Sequence, residues 1–279
     1  VNNYFNVYKN SYDKLNNIAK SFNTNLENIN PDGNLKIPNG ANNFISEVRN
    51  NQTLLTEKNS EFQEVNLIRE RQTRLTTNNL IFGSSFIYNY NSQQNILDES
   101  FFQLQWKLNL VGTLLNEIIK STNTPKNDNG QFEIAGVTPS QYFKTELNYI
   151  KHWKLSRRTV LAFRAFGGVA IPFGNANSIP FTRSYFSGGS NDIRGWRAYK
   201  LGPGSSSNLN EFNEANLKLT FNLEYRFPLI AKMNGAFFVD AGNIWNVLDN
   251  VTDPEYRFDG FKDLSEIAIG TGFGLRYDF

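Results

Sequence analysis

The chain has 279 residues and a formal charge of +2, from 28 Lys and Arg against 26 Asp and Glu, with 39% hydrophobic and 14% aromatic residues. No stretch approaches the ~18 uninterrupted apolar residues of a spanning helix. The absence of cysteine removes disulfides, thiolate catalysis and thiolate metal sites, and the near-neutral balance gives no electrostatic case for nucleic acid.

The sequence starts at Val1 without a signal peptide, which reads as a mature form or a fragment. Residues 1–79 are rich in Asn, Lys and Glu, with Pro31-Asp32-Gly33 and Pro38-Asn39-Gly40 as turn signals. Tyr12 to Phe22 and Phe44 to Leu55 have patchy helical spacing, and Glu61 to Leu75 carries several charges. The segment reads as loop and short helices, with an irregular strand near its end.

From Leu80 the pattern changes to period two. In Asn216 to Phe227, Leu217, Leu219, Phe221, Leu223, Tyr225 and Phe227 share one face. Lys218, Thr220, Asn222, Glu224 and Arg226 share the other. Successive side chains of a strand point to opposite faces, so one face is apolar and the other polar. The same split occurs in Ser100 to Leu110 and Phe143 to Trp153, and more weakly in Leu80 to Tyr90, Val160 to Ala170, Gly235 to Asn243 and Ile267 to Phe279. Most of these segments match the ~9–11 residues of a strand that crosses a bilayer.

The connections alternate short and long: 91–99, 111–139, 154–158, 172–213, 228–231 and 244–264. Transmembrane barrels show this alternation, with short periplasmic turns and long extracellular loops. Tyr88, Tyr90, Trp153, Phe227, Tyr277 and Phe279 fall at the short-turn ends, where an interfacial aromatic girdle belongs. The fold expected is all-β, a transmembrane antiparallel β-barrel over residues 80–279. A soluble all-β protein would need length, alternation and loop asymmetry to coincide by chance.

The longest connection, 172–213, contains Phe186-Ser187-Gly188-Gly189-Ser190-Asn191-Asp192-Ile193-Arg194-Gly195-Trp196 and then Leu201-Gly202-Pro203-Gly204. Paired glycines permit sharp turns, and Ile193 and Trp196 are poorly suited to a solvated loop tip. The next two strands offer Glu224 and Asp240 on their polar faces, carboxylates that a planar guanidinium grips bidentately. Pairing with Arg194 would fold the loop inward.

The run Gly188-Gly189-x-x-x-Ile193-Arg194-Gly195-Trp196 resembles the [VI]-R-G-[FYW] loop motif of BamA/TamA-type outer-membrane assembly factors and their two-partner secretion relatives. The resemblance extends to Leu223-Glu224-Tyr225-Arg226-Phe227-Pro228, to Phe238-Val239-Asp240-Ala241-Gly242-Asn243-Ile244-Trp245, and to Gly270-x-Gly272-x-Gly274-Leu275-Arg276. It implies a sixteen-stranded barrel in the bacterial outer membrane. It also implies a loop arginine, Arg194, that contacts acids on the following strands, here Glu224 and Asp240. Two departures stand out: residues 1–79 lack the βααββ pattern of POTRA domains, and members continue for about two strands past the Gly-Leu-Arg strand. Seven or eight strands close a barrel just filled by its own side chains, too narrow for the long loop, so the chain reads as part of a larger barrel.

The function the resemblance implies is non-enzymatic assembly or translocation, without cofactors. The partners implied are the outer-membrane bilayer, unfolded outer-membrane or secreted client proteins, and accessory lipoproteins. The alternatives are a passive porin-like channel and the barrel anchor of a lipase-like fusion protein. His152, the sole histidine, has no recognised spacing to Ser156 or Ser184 that would make a hydrolase. Asp249, Asp253, Glu255 and Asp259 lack the ligand spacing of calcium loops. Asn250-Val251-Thr252 matches a glycosylation sequon whose secretory context this class does not imply.

Overall fold

The computed structural model describes residues 4–277 apart from 23, 52–57, 77, 96, 122–125, 127–129, 131, 135, 175, 207–212, 231 and 252. It divides into two compact units, Val1–Asn78 and Asn79–Phe279.

The first unit is helical: α1 (Tyr4–Val7), α2 (Lys9–Ser21), α3 (Asn39–Asn50) and α4 (Asn59–Thr76). On α3, Ala41, Phe44, Ile45 and Val48 recur at the three- and four-residue spacing of one helix face, and all four are buried. They meet Leu15 and Ala19 of α2 and Val65 and Ile68 of α4 in one core. Two buried amides tie it together. Asn16 accepts from the Leu35 amide at 2.8 Å, and Gln72 accepts from Arg69 while donating to Asn42. The stretch read as an irregular strand near the end of this segment is therefore α4, and the short helices form a packed unit. Glu61 to Leu75 hid its helical period because a satisfied polar residue, Gln72, occupies a core position.

The second unit is one antiparallel sheet in sequential order: β1 (Gly83–Asn91), β2 (Phe102–Val111), β3 (Tyr142–Ser156), β4 (Thr159–Pro172), β5 (Leu217–Pro228), β6 (Met233–Trp245) and β7 (Ala268–Tyr277). All seven expected strands are present. β3 and β6 run past the alternating segments. At the long-connection end of β6 the loops cover both faces, so Ile244 and Trp245 are buried together and the period-two signal ends before the ladder does. The connection after β2 also contains a helix, α5 (Thr113–Ser121), that the alternation gave no reason to expect.

The sheet turns its greasy side outward. Phe86, Trp106, Leu147, Phe221, Leu223, Phe237, Val239 and Phe273 are exposed on one face. Phe86 meets Trp106 edge-on, and Phe237 lies between the rings of Phe227 and Phe273. Lys218, Thr220, Glu224 and Asp240 are buried on the other face. A lipid-facing band and a polar interior have this distribution. Tyr88, Tyr90, Trp153 and Tyr277 are exposed near the short-turn ends; Phe279 and Thr252 lie outside the described residues. No described helix is long and apolar enough to cross a membrane.

Candidate functional site

Much of the connection from β4 to β5 lies against the polar face of the sheet. Antiparallel bridges Tyr185↔Ala215 and Ser187↔Leu201 draw its two arms together, and the Gly189 amide donates to the Trp196 carbonyl at 2.8 Å. Gly188 and Gly189 have φ of 95° and 108°, and a side chain at Gly188 would run into the Arg197 carbonyl. Asp192 staples the tip: its carboxylate accepts from the Gly188 amide at 2.8 Å and the Ser187 hydroxyl at 3.2 Å, and pairs with Lys218 at 2.9 Å. The loop thus holds a built shape through its own bridges and turns, and the Lys218 pair ties that shape to β5.

That shape delivers Arg194 to the inner wall. Its Nε and Nη2 donate to the two oxygens of Asp240, each at 2.8 Å, and its backbone amide adds a third bond at 3.0 Å. Nη1 donates to Glu224 at 2.6 Å. The guanidinium carbon lies 3.6 Å from the centre of the Phe238 ring, a cation–π contact beneath the ion pairs. Asp240 is fully buried, so this fork is what compensates its charge, helped by Asn222 at 2.9 Å. The bonds to Asp240, above all, push the Arg194 guanidinium above its ordinary pKa, keeping it charged.

Apolar loop residues flank the arginine, each seated on a glycine of the inner face. Ile193 is fully buried, and its Cδ1 would lie 3.0 Å from a Cβ at Gly242. The Trp196 ring lies against Gly270, where a Cβ would meet it at 3.3 Å. Tyr185 occupies the space of a side chain at Gly168, and burial pushes its phenol pKa up. Gly272 leaves room for the Phe238 ring itself, which a Cβ there would overlap. Further along the loop, the Gly204 amide donates to the Ile244 carbonyl at 2.8 Å, and Asn243 donates to the Gly204 and Glu266 carbonyls.

Of the residues singled out in the sequence for this loop, Arg194 lies on Glu224 and Asp240, Ile193 on Gly242, and Gly195 and Trp196 on Gly270, while Gly188 and Gly189 pack against the loop's own backbone from 196 to 198. Sequence reasoning missed Asp192, Asn222, Phe238, Arg226 and Arg276. The last two both donate to Glu224 Oε1 at 2.8 Å. Their signal was weak, a polar residue at an inward position of a strand.

The remaining candidates disperse. His152 lines the inner wall, and neither Ser156 nor Ser184 lines the same recess. Asp249 and Asp253 accept from the amides of Val251 and Glu255, and Asp259 pairs with Arg257 at 3.0 Å. Among the described residues, no group of three or more His, Asp or Glu converges as a metal site.

Comparison with known proteins adds three findings. The family profile described as the Omp85 superfamily domain matches residues 1–279. The outer membrane protein assembly factor BamA of Neisseria meningitidis serogroup B (strain ATCC BAA-335 / MC58) is 27% identical over 116 residues, 38% of this chain and 14% of that protein. The crystal structure of BamA from Haemophilus ducreyi lacking POTRA domains 1-3 superposes with a TM-score of 0.41 at 15% identity, covering 71% of this chain and 48% of that one. The chain therefore spans less than half the length of either relative. With its profile matched from end to end, the chain belongs to the Omp85 superfamily of bacterial outer-membrane proteins.

Proposed function

We propose that the protein is an outer-membrane assembly or translocation factor that inserts or exports outer-membrane or secreted proteins, with the loop carrying Arg194 as an internal lock of its barrel. The observation that carries this reading is the Arg194 fork on Asp240 and Glu224. A passive channel gains little from fixing one loop with two buried carboxylates and three glycine seats. An assembly factor has to keep its interior organised while its wall works on a client strand. Strand edges of a loosened wall can template an incoming strand through backbone hydrogen bonds. The work needs no catalytic residue and no nucleotide. The outer-membrane bilayer, unfolded clients and accessory lipoproteins are the partners this reading implies.

Arg194→Ala leaves the Asp240 carboxylate buried without its partner, a loss of about 3 kcal/mol. The expected result is a lower temperature for loss of the folded, fast-migrating electrophoretic band, together with impaired client assembly. Charge reversal at Glu224 or Asp240 should act alike, while reversal at Asp253 or Asp259 should not. An Arg194→Ala protein with normal heat-stability and normal assembly would overturn the proposal. Large single-channel conductance with no effect on client assembly would favour the porin-like alternative.

A further inference from the structure

Below the docked loop the inner wall forms a recess of about 280 Å³, lined by His152, Arg164, Arg194, Arg226, Arg276 and Glu224 among others. Its charges do not balance. Arg194 is matched by Asp240, and Lys218 is matched by Asp192. Glu224 alone remains for Arg226 and Arg276, and it also accepts from Arg194. Arg164 is held by neutral oxygens, the Asn148 side chain at 2.8 Å and the Asn191 carbonyl at 3.1 Å.

Donors are also left over. Arg226 donates through Nε and Arg276 through Nη2, and among the described residues neither makes a further hydrogen bond. The His152 ring has an edge contact with Phe101 and no side-chain hydrogen bond among the described residues. Each guanidinium carries five donors in a fixed fork suited to a planar carboxylate or a phosphate. Lipid does not reach this face, because the apolar side chains of the same strands point the other way.

We propose that this recess is a binding site for one oxyanion, a carboxylate or phosphate group arriving through the barrel interior, held by the open forks of Arg226 and Arg276 with His152 and Arg164 lining the same recess. The site is separate in its work from the lock. Arg194 faces both, but its fork is already engaged by Asp240.

The test is calorimetric titration of the folded full chain in detergent micelles, with inorganic phosphate and with a Glu-rich hexapeptide, its Gln counterpart serving as the neutral control. Saturable binding of an oxyanion is expected, about tenfold or more weaker in the Arg226→Gln/Arg276→Gln double variant. Ile150 also lines the recess, so Ile150→Glu supplies a tethered carboxylate that should abolish binding and raise heat-stability. This variant carries the test if the double variant does not fold. Saturation by phosphate alone assigns the site to free phosphate, and saturation by the peptide alone assigns it to polypeptide carboxylates. No saturable binding of either probe, equal binding of the Gln peptide, or binding unchanged in both variants would overturn the site.

Discussion

The helical unit and the sheet bury opposite things. In α2, α3 and α4 the interior is Leu15, Phe44, Ile45, Val48 and Val65, and the charged residues lie outside. In the sheet the interior is Lys218, Thr220, Glu224 and Asp240, while Phe221, Leu223, Phe237 and Val239 face outward. Each face meets the solvent it suits: water around the helices, hydrocarbon around the strands. An amphipathic period therefore reveals which residues share a face but not which face is inside. That assignment came from strand length and from the alternation of short and long connections.

Four substitutions put the contrast to work. Phe44→Ala should have the largest effect, about 3–5 kcal/mol, because it empties the centre of the helical core; thermal melting followed by helical circular dichroism reads it. Leu223→Arg tests the outward face. A cation at mid-strand on the lipid side should cost about 2–4 kcal/mol in folding into bilayers, measured by denaturant titration in liposomes. If Leu223→Arg folds into lipid as readily as the parent, the inverted arrangement fails. Gly272→Ala should cost about 1–3 kcal/mol, because the new methyl displaces the Phe238 ring from under Arg194. Gel heat-stability should fall, and combining it with Arg194→Ala should add less than the sum of the two. Leu26→Arg, at an exposed position of the helical unit, should stay within about 0.5 kcal/mol by the same melting measurement.

The sheet was readable because alternation survives wherever one face meets lipid and the other meets polar loops. It faded in β6 at Ile244 and Trp245, where loop segments cover both faces, and α4 was missed because its buried Gln72 interrupts the apolar stripe. Arg194, Glu224 and Asp240 stood out as charges in unusual settings. The purposes of Gly242, Gly270 and Gly272 did not, since an empty position acquires meaning only when the pairing of β6 with β7 and the path of the loop are known. Arg226 and Arg276 are fifty positions apart, and only the strand order Arg226↔Ala236 followed by Asn234↔Arg276 brings both to one carboxylate.

The tip of the loop reaches across three strands at once, with Arg194 on Glu224 of β5 and Asp240 of β6, Ile193 on Gly242 of β6 and Trp196 on Gly270 of β7. Were β7 to slip one residue along β6, Ile269 or Thr271 would take the place of Gly270 and Thr271 or Phe273 that of Gly272, so neither the indole nor the Phe238 ring would keep its seat. The hairpin of β6 and β7 thus admits the latch only in registers that turn its glycines inward. A strand turned to the wrong face leaves the latch open, and so the docked arginine doubles as a gauge that β7 presents its glycine side to the interior.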